Sequence, residues 1–272
     1  MTRLINLRPS RRGRILAGAV PILVLCLVYG VAAALRHADN PADKVLPTVG
    51  AMATALWHMG ATIDPVTGQV TLLADTLASL TRLGAGLALA TLSALVIGLL
   101  LGVMPLARAI FGPMIMVIAV IPPIAVLPIL FIALGLGEAA KIALIAIGIA
   151  PYMTRDLASY VSGLPAEQFI KAETLGANSW AVAIRVALPQ MMPRLIESLR
   201  LSMGPAWVFL IAAEAIASDV GLGYRIFLVR RYLAMDIILP YVAWISLLAI
   251  AADALLQMIS RRAFPWARGD AR

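Results

Sequence analysis

The chain has 272 residues, of which 62% are hydrophobic and only 13% are charged, and its formal net charge is +8. A soluble domain carries about 25% charged residues, so this composition predicts an all-α, polytopic membrane protein. The basic excess does not indicate nucleic-acid binding, because many cations lie beside apolar segments, where they act as topology signals. With one cysteine and two histidines, neither an intrachain disulfide nor a metal site is predicted.

Six transmembrane helices are predicted from apolar segments, since about 20 helical residues cross the hydrocarbon core. They cover about residues 15–35, 77–103, 110–134, 139–158, 196–217 and 237–260. Basic residues near both ends of the chain place residues 1–14 and 261–272 in the cytoplasm. The acidic stretch at 36–75 is then a periplasmic loop, and residues 160–195 form a cytoplasmic loop.

Two segments fit this topology less simply. A twin-arginine sequence at 10–12 could open a cleaved export signal. The following apolar run is longer than the roughly 7–15 residues of a signal core, so a retained first helix is favoured. Arg225, Arg230 and Arg231 lie where a periplasmic connection is predicted. A short amphipathic helix at 224–235, with arginines reaching the lipid headgroups, reconciles them with the topology.

A solute path is assigned to Pro123, Trp207 and Glu214. Pro123 belongs to a proline cluster that bends the third helix, and a bent helix suits a path lining. Glu214 interrupts the fifth helix, where a carboxylate in lipid would cost about 2.5–3.5 kcal/mol. Glu214 therefore either lines the path or pairs with an arginine or a backbone donor. Trp207 either joins the path or anchors the interface. Because the uncharged parts of the fourth and fifth helices are short, both helices are placed in the centre of the bundle.

The loop at 165–193 carries the most specific signal. Its pattern predicts a short helix, a break at 176–179 and a second amphipathic helix from Trp180. Ser179 can cap that second helix through its hydroxyl. Pro189 and Pro193 then interrupt the hydrogen bonding and redirect the chain toward the membrane.

This loop resembles the EAA loop of ABC importer permeases, in which Glu-Ala-Ala is followed by a glycine and, nine residues later, by Ile-X-Leu-Pro. Gly176 and Pro189 keep that spacing, whereas Ile170 and Lys171 replace the first two letters. The resemblance implies that the loop contacts an ATPase through Glu167, Lys171, Ala172, Glu173, Gly176, Ala177, Leu188 and Pro189.

Four further blocks, in the same order, resemble the permeases of nitrate, sulfonate and taurine importers. These blocks are residues 121–130, 135–141, 205–214 and 221–224. The resemblance spans about residues 76–260, the permease core, and implies the MetI-like fold of a type I ABC importer permease. The variant at 213–216, together with 227–236, is most similar to permeases of urea-carboxylase or guanidine-linked systems.

The resemblance implies an importer subunit in the bacterial inner membrane that moves a sulfonate, a nitrate-like ion or a guanidine or urea derivative into the cytoplasm. It implies a second permease copy, two ATP-binding cassette subunits that hold ATP and Mg, and a periplasmic substrate-binding protein. The sequence has no Gly-Lys-Ser/Thr phosphate loop, so no cofactor and no catalysis are predicted in this chain. The alternatives are an ion-coupled transporter or channel without an ATPase, and a membrane-embedded enzyme.

Overall fold

The computed structural model describes residues 10–40, 43–65 and 68–268. The predicted basic segment up to residue 9 and the last four residues, with Arg272, lie outside the described residues. The described part is helical apart from turns, loops and one β-bridge between Ile63 and Val70. Its α-helices are α1 (Arg11–Asp39), α2 (Val49–Ala61), α3 (Thr71–Val103), α4 (Pro105–Val120), α5 (Pro123–Leu134), α6 (Glu138–Ser162), α7 (Ala166–Thr174), α8 (Ser179–Val182), α9 (Leu188–Ile216), α10 (Leu222–Val229) and α11 (Met235–Ala263).

Within the described ranges, five helical segments are long and apolar enough to cross a membrane, namely Leu16–Asp39, α3, α6, Ser179–Ile216 and α11. A sixth span is formed by α4 and α5 together, which are bent by 95° at their junction. Pro122 and Pro123 stand at this junction, and proline lacks the N–H that a continuous helix would need there. The predicted all-α fold is therefore confirmed, and the predicted third helix consists of two.

The direction of the helices shows that α4 and α5 must cross the bundle as a pair. Glycines of α3 lie against side chains of α6 in three pairs, Gly86 with Ile145, Gly98 with Leu157 and Gly102 with Val161. From one pair to the next, the residue numbers rise in both helices, so α3 and α6 run parallel. A connection between parallel neighbours has to return to the starting end. The chain from Met104 to Gly137 therefore runs back across the bundle.

The core lies among α3, α6 and α9, since 39% of the residues in an 18-residue apolar window are buried in each of α3, α6 and Ser179–Ile216. In the outer spans, Leu16–Asp39 of α1 and α11, only 6% of the residues in such a window are buried. This confirms the prediction that the fourth and fifth spans are central, and it adds α3 to them. Glycine, alanine and serine on these helices allow the helix backbones to approach closely. In lipid, which is as apolar as the helix side chains, helices associate through such close packing and not through the hydrophobic effect.

Several predicted connections are more regular than expected. The predicted loop at 36–75 contains α2, which Thr48 caps by accepting a hydrogen bond from the Ala51 N–H at 3.2 Å. The predicted turn at Pro105 and Arg108 is the start of α4, because proline suits the first helical position. Arg108 donates through Nε to the Leu101 carbonyl oxygen at 2.8 Å and so closes the end of α3.

Candidate functional site

The structure builds the predicted cytoplasmic loop as a compact elbow, defined here as residues 166–189. Its first arm is α7, and the chain reverses at Gly176, whose φ of +86° is the left-handed conformation that glycine adopts readily. The Ala177 N–H donates to the Ala172 carbonyl oxygen at 3.0 Å and closes the turn. Ser179 is not the helix cap. Asn178 accepts from the Ala181 N–H at 2.8 Å, because the break is one residue shorter than predicted.

The second arm passes into the membrane span without a break. Residues 183–187 form one π-helical turn, in which the Leu188 N–H bonds to the Ala183 carbonyl oxygen. The prediction that Pro189 and Pro193 redirect the chain is wrong, since α9 continues through both. A proline ring normally collides with the carbonyl four residues earlier, and the wider π turn before Pro189 relieves that contact.

Most of the residues predicted to contact an ATPase lie on the elbow surface. Exposed among them are Glu167, Lys171, Glu173, Gly176 and Pro189, while Ala172, Ala177 and Leu188 are half-buried. The prediction missed three large apolar side chains on the same surface. Ile170, Leu175 and Trp180 are 58%, 79% and 64% exposed, and their signal in the sequence is apolar residues within a polar loop.

The opposite end of the bundle holds a buried polar network around Glu214, which has no exposed surface. The Glu214 carboxylate accepts from Arg82 Nη1 at 2.7 Å and from Ser79 Oγ at 2.8 Å. It also accepts from the Gly223 N–H at 2.8 Å, at the start of α10. A carboxylate is stabilised at a helix N-terminus, where backbone N–H groups lack partners within the helix.

Gly221 and Gly223 leave the space that Glu214 occupies. A Cβ atom on Gly221 would lie 2.6 Å from the Glu214 carboxyl carbon, and the φ of Gly221 is +137°. A Cβ atom on Gly223 would lie 2.8 Å from the Ile211 carbonyl oxygen. The glycines at 221–224 and the acid at the end of 205–214 therefore form one packing unit.

A second carboxylate, Asp75, fixes the connection before α10. Asp75 has no exposed surface, and it accepts from the Gly221 N–H at 2.9 Å and from Tyr241 Oη at 3.1 Å. Arg225 donates to it through Nε at 2.9 Å. Burial acts to lower the pKa of Arg225, but the hydrogen bond and charge of Asp75 outweigh it, so this pKa lies above its ordinary value. Arg225 does not reach the headgroups as predicted, because Asp75 holds it inside.

The network is closed by α6. Arg82 Nη2 donates to Glu138 Oε1 at 2.8 Å, and Lys141 Nζ donates to the same oxygen at 3.0 Å. Three acids thus face three bases, with Asp75, Glu138 and Glu214 on one side and Arg82, Lys141 and Arg225 on the other. Three of the four sequence blocks meet here, although they are distant in sequence.

The three residues assigned to the solute path have different surroundings in the structure. Glu214 adopts the second of its two predicted alternatives, pairing with an arginine and a backbone donor. Trp207 is 4% exposed within the core, and its indole N–H has no hydrogen-bond partner among the described residues. Pro123 begins α5 and lies beside Gly148 on α6.

Comparison with known proteins identifies the class. Residues 94–265 match the family described as "Binding-protein-dependent transport system inner membrane component". The match covers more than half of the chain and includes α6, the elbow and α9. The chain therefore belongs to this family of ABC importer permeases.

Individual relatives agree with the branch predicted from the sequence, the nitrate, sulfonate and taurine permeases. The taurine transport system permease protein TauC of Escherichia coli (strain K12) is 34% identical over 189 residues, covering 70% of this chain and 69% of that protein. The nitrate import permease protein NrtB of Leptolyngbya laminosa is 26% identical over 188 residues, covering 69% and 67%.

A solved structure gives the same fold. A chain of the MetNI methionine ABC transporter, in an inward-facing conformation, matches with a TM-score of 0.62 at 19% identity. The match covers 71% of this chain and 95% of that one. At this identity the likeness shows the fold alone, and it confirms the predicted MetI-like architecture.

Proposed function

We propose that this chain is the membrane-spanning subunit through which an ATP-driven importer moves a small polar solute from the periplasm to the cytoplasm. The observation that carries the proposal is the elbow. It presents Ile170, Leu175 and Trp180 to solvent at one end of a membrane bundle. Exposed apolar side chains rimmed by charged ones are typical of a protein interface.

The proposed partner on the elbow is an ATP-binding cassette subunit, two of which hold ATP and Mg. A second copy of this chain completes the path, and a periplasmic substrate-binding protein delivers the solute. Both chain termini are then cytoplasmic, in a bacterial inner membrane. The match to a family of binding-protein-dependent transport components supports this assembly.

The elbow is built to transmit movement. The helical segment Ser179–Ile216 has 38 residues, which at 1.5 Å per residue is about 57 Å. It connects Trp180 in the elbow with Glu214 in the buried network as one helical segment, which includes the π turn at 183–187. Gln190 Nε2 donates to Gln168 Oε1 at 2.8 Å and couples α7 to this helix. A displacement of the elbow by ATP binding would therefore move the far end of α9.

The solute we propose is a sulfonate or a nitrate-like ion. Relatives named for taurine and nitrate transport support this choice. Taurine carries a sulfonate group and nitrate is itself an oxyanion, so both present negatively charged oxygens. The guanidine or urea derivative implied by 213–216 and 227–236 remains a prediction.

The test is purification of the tagged chain from native membranes, followed by identification of the co-eluting chains and reconstitution. We expect a cassette ATPase to co-elute, and uptake of taurine or nitrate into proteoliposomes to require ATP and the binding protein. Uptake driven by an ion gradient, with no ATPase bound, would establish the ion-coupled transporter instead.

A further inference from the structure

An ion pair in the membrane-spanning part of the bundle is incompletely covered by the chain. Arg200 on α9 and Asp253 on α11 form a two-point pair, with Nε–Oδ1 at 2.8 Å and Nη2–Oδ2 at 3.0 Å. The side chains are 28% and 45% exposed. By contrast, Arg82 and Glu214 in the polar network are 4% and 0% exposed.

The pair lies at membrane depth. At 1.5 Å per residue, Asp253 is about 15 Å from the C-terminal end of α11, and the span around it is apolar. Ionised groups in spans face a bundle interior, a partner or water, because exposure to hydrocarbon is costly. This cost favours water or a partner chain over lipid on the uncovered side of the Arg200–Asp253 pair.

The same side of α9 continues as an exposed surface. Glu197, Leu201, Gly204 and Val208 are exposed at helical spacing, and Arg200 lies among them. The Glu197 carboxylate is held by Arg194 at 3.0 Å and so does not occupy Arg200. On α11, Leu255 points away from Asp253, since two residues correspond to about 200° of helix rotation, and it is 52% exposed.

We infer that the Arg200–Asp253 pair lines the water-filled solute path. In the resting state the Asp253 carboxylate accepts from the N–H donors of Arg200 that bind a solute oxyanion during transport. The planar guanidinium offers two parallel N–H donors to a carboxylate, and a sulfonate or nitrate presents oxygens suited to the same donors. The exchange leaves Arg200 paired throughout. This inference rests on the proposed function and specifies its substrate class.

Cysteine labelling of the complete chain in membranes tests the water-facing position. In a Cys26→Ser background, Asp253→Cys is treated with 2-sulfonatoethyl methanethiosulfonate and with its trimethylammonium analogue. Leu255→Cys, at the same depth on the opposite side of α11, is the matched control. We expect labelling of Asp253→Cys and none of the control. Leu201→Cys keeps the ion pair intact and should also be labelled. Equal rates at the three positions would overturn the inference.

The reagent charge tests the anion site. One unit charge at about 4 Å in water changes a rate about five-fold. Arg200 should therefore raise the rate of the sulfonate reagent at Asp253→Cys, relative to the rate of the trimethylammonium reagent, by at least that factor. Adding Arg200→Gln should remove this preference, and taurine should slow the reaction only when Arg200 is present. A preference that is unchanged by Arg200→Gln would reject the anion site. Labelling needs no ATPase, so this result is independent of whether the proposed ATPase partner is found.

Discussion

At the scale of single residues, Glu214 shows how a charge becomes acceptable inside an apolar helix. All of its described hydrogen-bond partners are donors, from Ser79, Arg82 and the Gly223 N–H. The carboxylate satisfies them together, whereas an amide could offer only one oxygen. The residue therefore acts as a connection between α3, α9 and α10.

We predict that Glu214→Gln destabilises the folded chain by about 3 kcal/mol, because three bases of the network then face only two acids, Asp75 and Glu138. The measurement is the thermal unfolding midpoint of the purified protein in detergent. Glu197→Gln on the same helix is the control. Its side chain is 57% exposed, so its loss should stay below about 1 kcal/mol. Equal midpoints for the two variants would contradict the connecting role of Glu214.

Unchanged solute uptake by reconstituted Glu214→Gln would also remove its assignment to the path.

At the scale of helices, the contact between α3 and α6 depends on glycine. A Cβ atom on Gly102 would lie 2.5 Å from the Val161 Cβ, and one on Gly98 would lie 2.9 Å from the Leu157 Cβ. The Gly-X-X-X-Gly spacing at 98–102 therefore serves packing within the chain. The sequence pattern alone could not distinguish this use from contact between subunits.

We predict that Gly102→Ala destabilises the chain by about 1–3 kcal/mol, the usual cost of overpacking a rigid contact. Gly84→Ala is the matched control on the same helix, where a Cβ atom would meet nothing within 4 Å. It should be neutral or stabilising by up to about 1 kcal/mol, because alanine favours the helix. Thermal unfolding midpoints compare the two variants, and equal effects would argue against the close contact.

The elbow offers a test in which shape is kept and charge is changed. Gly176 has positive φ but open space around it, and Asn and Asp both tolerate this backbone better than other residues do. We predict that Gly176→Asp reduces co-purification of the ATPase more than Gly176→Asn does, while membrane insertion is unchanged. An equal reduction would attribute the effect to the backbone, and no reduction in either variant would count against docking at the elbow.

At the scale of the whole molecule, the parallel arrangement of α3 and α6 fixes the number of crossings. The bent pair α4–α5 must return across the bundle, which gives six spans in the described part of the chain. With an even number of crossings, the two ends of the described part lie at the same end of the bundle.

We predict that reporter fusions before residue 1 and after residue 272 both give the cytoplasmic signal. An alkaline phosphatase and a fluorescent protein, fused separately at each end, provide the measurement. A reporter inserted at residue 64, between α2 and α3, is the control and should give the periplasmic signal. Opposite signals from the two ends would mean that α4–α5 enters and leaves on one side.

Much of the fold could be predicted because hydrophobic length and charge act locally. The central position of α6 and α9 followed from their interrupted apolar runs, and the bend between α4 and α5 followed from three nearby prolines. The elbow reversal followed from Gly176. The continuation of α9 through Pro189 was missed, because the π turn that accommodates the proline is not visible in residue types.

The sequence by itself determined the membrane class, the spans and the elbow, since these depend on composition and on short-range backbone chemistry. The tertiary structure decided which charges meet. Asp75 pairs with Arg225, and Arg82 joins Glu138 to Glu214, across more than fifty residues of sequence in each case. It also left Arg200 and Asp253 partly uncovered at membrane depth. Whether a charge in a span is enclosed or faces a path depends on the helices packed beside it, and the order of residues along one helix does not contain that information.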